Sequence, residues 1–214
     1  MSLLTPVETT ALALSLRVAA VSVAASLPLA VLVARLLASR RFVGKSLCEG
    51  VLALPLVLPP VAVGYMLLLA LGRRGPVGAL LEEGLGVSVA FTWKGAAIAS
   101  AVVAFPLMVR AIRVSMESVN PKLESAARTL GARPARVFLT VTLPLSAPGI
   151  LAGGILAFAR SLGEFGATIT FVSNIPGETQ TLPLALYTLI QNPGGEAAAM
   201  RVAAVSVTLA IGAV

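Results

Sequence analysis

Apolar residues run in long blocks along this chain, and polar residues fall between the blocks rather than alternating within them. A helix needs roughly 20 apolar residues to cross a bilayer, and that ruler predicts about five spans, at 10–34, 47–71, 95–114, 147–170 and 197–214. The pattern predicts an all-α, polytopic transmembrane bundle in which 1–214 form a single membrane domain. The last block reaches Val214 without a polar flank, so that span is expected to be incomplete.

Composition supports this class. Of 214 residues, 57% are hydrophobic and only 12% charged, and the mean hydropathy is +0.96, far from soluble averages. The formal charge of +7 does not point to nucleic acid, because the basic residues punctuate apolar runs instead of clustering among polar and stacking groups. A lone cysteine, Cys48, rules out an internal disulfide, and the absence of histidine argues against a zinc site or a Ser-His-Asp triad. The first ten residues, "MSLLTPVETT", hold no Lys or Arg but do hold Glu8, which is not the pattern of a cleavable signal.

The Lys and Arg count orients the chain. The links after the first and third spans hold ten, namely Arg35, Arg40, Arg41, Lys45, Arg110, Arg113, Lys122, Arg128, Arg133 and Arg136. The opposite side holds three, Arg73, Arg74 and Lys94. This predicts an outside N-terminus and two basic cytoplasmic links.

The link over 110–143 reads as two short helices. Asn120 is a cap, Pro121 suits the first helical position, Leu123, Ala126, Ala127 and Leu130 recur at helical spacing, and Gly131 is a stop. Pro134 starts the second helix, which leads back to the membrane at Pro144. The hairpin reads either as a connector or, because small residues admit close approach, as a knob for another protein.

Here the residues carry a resemblance. "SAARTLGARPARVFLTVTLP" resembles the EAA loop of ABC-importer permeases, with Ala126, Ala127, Gly131, Val141, Leu143 and Pro144 on its spacing. Ser125 stands at the usual acidic position and Glu124 one residue earlier. "LPLVLPPVAVGY", "FPLMVRAIR" and "FARSLGEFGATITFVSNIPGETQTLPLALYTLIQ" narrow the resemblance to molybdate permeases, with sulfate and tungstate permeases as close relatives. The resemblance implies a type I importer fold whose cytoplasmic coupling loop, about 115–144, sits in a cleft of an ATPase. It further implies two copies of this chain, two cytosolic ATPase subunits and an external molybdate-binding protein in a bacterial cytoplasmic membrane, with lipid around it and no nucleic acid. Such a subunit is no enzyme and holds no cofactor; ATP and Mg belong to the ATPase. "FVGKS" mimics the end of a phosphate loop, but Ser39 stands where that motif needs its first glycine.

Inside the blocks, Pro55, Pro59 and Pro60 predict a bent second span, by packing irregularity or beside the pathway. Gly149 and Gly153 form a small-xxx-small face that suits helix packing. Thr168, Thr170, Ser173 and Asn174 are candidate neutral donors to an oxyanion. Arg160 and Glu164, four residues apart, admit three readings: a proton relay, an anion site, or a clasp near the gate. The clasp is favoured, because Glu164 repels an anion and a relay needs more ionisable groups at membrane depth. A secondary transporter or channel working alone is the alternative from another class; it leaves the hairpin without a purpose.

Overall fold

In a computed structural model, which describes residues 4–39 and 42–213, the described residues form helices joined by short turns. Arg40, Arg41 and Val214 lie outside the described residues.

The centre of the fold is α5 (Trp93–Glu117), which Thr92 caps by accepting from the Gly95 N–H at 3.3 Å. Its inner residues are small, with Ala96, Ala97, Ala99, Ser100, Val103 and Ala104 all buried, so neighbouring helices approach closely. One neighbour is α1 (Pro6–Ser39); another is α9 (Ala147–Leu162). Gly149 and Gly153 of α9 do face α5. A Cβ on Gly149 would collide with the Ser115 side chain, and one on Gly153 would lie 3.0 Å from Ile112 Cγ1 and from the Met108 carbonyl oxygen. The packing role read from their spacing is what the structure contains.

Two arginines of α1 stack on aromatic rings of other elements. The guanidinium of Arg17 lies 3.8 Å from the ring centre of Trp93. That of Arg35 lies 3.8 Å from the ring centre of Phe138.

Among the described residues, α1 and α5 are long and apolar enough to cross a membrane unaided. The second apolar block is not one rod. It divides into α2 (Lys45–Val57) and α3 (Pro60–Leu71), bent by 111°. Pro59 and Pro60 each lack an N–H and clash with the preceding turn, so α2 stops at Val57, Leu58 is extended, and the next helix starts with Pro60 at its first position. The short α4 (Pro76–Leu85) comes next.

Helix α5 continues to Glu117, so Arg110 and Arg113 belong to its final turns and not to a loop. Arg113 bridges Glu117 and Glu49 of α2, at 2.7 Å each. The hairpin then comprises α6 (Pro121–Thr129) and α7 (Pro134–Val137), a π-turn at Phe138–Thr142, and α8 (Leu143–Leu145). A bend of 67° separates this arm from α9.

The fourth block also departs from expectation. Its apolarity predicts one span over 147–170, yet α9 ends at Leu162 and α10 (Gly166–Val172) begins after a break at 163–165. Both sides of the break are apolar, but backbone preference changes at it: Gly163 is a weak helix former, and the Glu164 side chain caps α10 instead of extending α9. Helix α10 packs on α3 through glycines from both sides. A Cβ on Gly64 would come 2.5 Å from the Ala167 carbonyl oxygen, and one on Gly166 would come 2.8 Å from Pro60 Cβ. Finally α11 (Leu182–Gln191) and α12 (Glu196–Gly212) form a hairpin, with Leu182, Ala185 and Val202 buried alongside Ala11 of α1.

Candidate functional site

Local chemistry builds α6 as its sequence predicts. Asn120 Oδ1 accepts from the Lys122 N–H at 3.0 Å, and Pro121 occupies the first position. At the other end Gly131 takes a φ of +84°, which lets its N–H reach the Arg128 carbonyl and that of Ala132 reach the Ala127 carbonyl. This is a Schellman stop, and only glycine adopts that φ without strain. The apolar stripe of α6 faces away from the chain: Leu123 is 48% exposed, Leu130 is 89% exposed, Ala126 is exposed and Ala127 half-buried.

The two candidate acidic-position residues behave differently. Ser125 Oγ donates to the Pro121 carbonyl at 3.0 Å and stays on the outer face. Glu124 turns inward: it pairs with Arg128 at 3.2 Å and accepts from Thr142 Oγ1 at 2.6 Å. Thr142 is the last residue of the π-turn, just before Leu143 and Pro144. Pro144 explains that turn, since it cannot donate to a carbonyl four residues back and its ring needs the wider register.

At the far end of α9, Arg160 Nη1 and Glu164 Oε2 lie 2.8 Å apart. The contact is close without hydrogen-bond alignment. The other oxygen, Oε1, accepts from the Ala167 N–H at 2.9 Å, so the carboxylate both pairs with α9 and caps α10. Its side chain is 2% exposed and that of Arg160 is 33% exposed. The expected donors have partners nearby. Thr168, fully buried, gives its hydroxyl to the Glu164 and Phe165 carbonyls, and Thr170 gives its own to the Gly166 carbonyl. Asn174 donates to Thr188 Oγ1 at 2.8 Å and accepts from Gln180 at 3.0 Å. Ser173 is exposed with a φ of +65°, a region that costs a side-chain-bearing residue about 1–3 kcal/mol.

The family described as binding-protein-dependent transport system inner membrane component matches residues 26–214. The chain belongs to this family. As one of these permeases it is a membrane subunit without enzymatic activity, and ATP hydrolysis resides in a separate subunit. Over 209 residues, 98% of this chain and 91% of its relative, the permease is 59% identical to the molybdenum transport system permease protein ModB of Escherichia coli (strain K12). It is 60% identical to ModB of Haemophilus influenzae over 95% of this chain and 89% of that one. With the sulfate transport system permease protein CysW of Synechococcus elongatus it shares 41% over 69% of this chain and 51% of the relative. The fold matches the crystal structure of a bacterial ABC transporter that imports the acidic polysaccharide alginate, with a TM-score of 0.73, 18% identity and coverage of 98% and 76%.

Several contacts of the permease lie beyond sequence reading. Glu8 pairs with Arg201, 193 residues away, at 3.0 Å, while also accepting from the Thr5 N–H at 2.7 Å as Thr5 Oγ1 accepts from the Glu8 N–H. "TPVE" is legible as a capping box; the partner on α12 is not. Ser22 of α1 and Ser161 of α9 share a buried hydrogen bond at 3.1 Å. The Ser15 hydroxyl accepts from the Leu182 N–H at 2.7 Å, fastening the segment that leads into α11.

Proposed function

We propose that this permease moves molybdate across a bacterial cytoplasmic membrane, receiving the oxyanion from an external binding protein and driven by a cytosolic ATPase. The observation that carries the substrate is identity near 60% over almost the whole chain with molybdenum permeases, against 41% over a shorter stretch with a sulfate permease. Two copies of the chain form the pathway, with the N-terminus outside. ATP and Mg bind the ATPase partner.

In this reading the outward stripe of α6, with Leu123, Ala126, Ala127 and Leu130, enters a cleft of the ATPase, and Ser125 lies on the same contact. Gly131 shapes the exit from that helix, while Leu143 and Pro144 lead the movement into the membrane. Arg160 and Glu164 act as a clasp that holds the break between α9 and α10. Thr168 and Thr170 stiffen α10, and Ser173 with Asn174 forms the polar rim nearest the pathway.

ATPase stimulation of the reconstituted complex tests the substrate. Binding protein loaded with molybdate is expected to stimulate hydrolysis and drive uptake. Stimulation by the sulfate-loaded form alone overturns molybdate in favour of sulfate; uptake without any ATPase overturns the importer.

A further inference from the structure

We infer that the hydrogen bond from Thr142 to Glu124 is the joint through which movement of α6 reaches the membrane helices, with both side chains acting as positioning residues for coupling. The inference rests on the proposed docking of an ATPase on α6.

The first observation is how α6 is seated. A cavity of about 610 Å³ lies between α6 and the body, lined by Arg35, Glu117, Glu124, Arg128, Phe138 and Thr142 among others. None of the α6 residues is buried. A helix over a void transmits force through its discrete attachments rather than through a packed face.

The second is the unusual aim of Thr142. Helical threonines ordinarily give their proton to a carbonyl one turn back, as Thr140 does to Arg136 and Thr170 to Gly166. Thr142 instead reaches a carboxylate 18 residues away, at 2.6 Å, a distance that belongs to a strong, charge-assisted bond. It sits in the π-turn, whose wider register re-aims a side chain. Thr142 is 7% exposed, so its hydroxyl is not available to a docked partner.

The third is the route from Thr142 into the membrane. Four residues after Thr142 is Ser146, fully buried, whose carbonyl accepts from Ser115 Oγ of α5 at 3.4 Å. There the arm bends by 67° into α9, the rod that is packed by glycines on α5 and carries Arg160 in its last turn. Displacement of α6 is therefore delivered to the foot of the helix whose other end carries the clasp.

The test uses the assembled transporter with Thr142→Val and Thr142→Ser. Removing the hydroxyl is expected to leave the ATPase co-purifying at its normal ratio while uptake per ATP hydrolysed falls about tenfold or more, the scale of a lost bond to a charged group. Thr142→Ser is expected to stay within about twofold of the unaltered protein. Normal coupling in Thr142→Val overturns the joint. So does loss of the ATPase from that complex, which would place Thr142 in docking, and so does a Thr142→Ser as impaired as the valine variant. The comparison is read with whichever oxyanion stimulates the unaltered complex, so an error about molybdate shows in that control and leaves the joint to stand or fall separately.

Discussion

The carboxylate of Glu164 meets the guanidinium of Arg160 at 2.8 Å across the end of α9, and the same carboxylate caps α10 through the Ala167 N–H. Because the helix stops at Leu162, the pair spans a joint rather than decorating a rod. Its two partners belong to different helices, so loss of the charge and loss of the cap have separable effects.

Replacing Arg160 by Met leaves a buried carboxylate without its counter-charge, an arrangement that costs about 3 kcal/mol or more. Glu164→Gln keeps an acceptor for Ala167 and removes the charge. Uptake and thermal stability are expected to be lowest in Arg160→Met, with the double variant recovering toward Glu164→Gln. A double variant worse than both singles excludes the clasp.

The glycine contacts between α3 and α10 predict a steep local sensitivity. Gly64→Val drives a side chain into the Ala167 backbone, a cost of about 1–3 kcal/mol or more for an overpacked site. Gly50→Ala meets nothing within 4 Å and is expected to be nearly neutral. Melting of the purified protein in detergent separates the two; equal melting temperatures would mean that α3 and α10 are not tightly apposed.

On α6, Leu130→Asp changes an exposed side chain and is expected to alter stability by less than about 0.5 kcal/mol while abolishing co-purification of the ATPase. Ala127→Asp, at a half-buried position, is expected to abolish co-purification as well. Gly131→Val acts differently, because open space surrounds the site and the penalty comes from its φ of +84°. Retention of the ATPase by the Leu130 and Ala127 variants removes α6 from the docking surface.

Ser173→Gly is expected to raise thermal stability by about 1 kcal/mol, since glycine accepts a φ of +65° without strain. A simultaneous fall in uptake would mark either that strain or the Ser173 hydroxyl as part of the transport cycle; an unchanged melting temperature would mean the conformation is not held in solution.

The parts of this molecule written in short-range chemistry are readable from the chain alone. Asn120, Pro121 and Gly131 specify where α6 begins and ends, because caps and left-handed stops are decided within a turn. The glycines at 149 and 153 announce a packed face. The second and fourth blocks read as single spans because apolarity measures affinity for lipid and is blind to direction, and it is alike on both sides of each break. Pro59 and Pro60 announce a bend, but its 111° is set with the seating of α3 against α10, elements far apart in sequence. Glu8 with Arg201, Ser22 with Ser161 and Thr142 with Glu124 are tertiary pairings, and one sequence read alone does not say which distant group a polar side chain will find.

The two α1 arginines that sit on aromatic rings stand eighteen residues apart, a rise of about 27 Å along a helix. That is close to the roughly 30 Å depth of bilayer hydrocarbon, so the two cations are spaced as a pair at opposite faces of a bilayer would be. One turn or more before Arg17, the Glu8–Arg201 pair is a buckle that fastens α1 to α12, with the arginine half open and the carboxylate shut in.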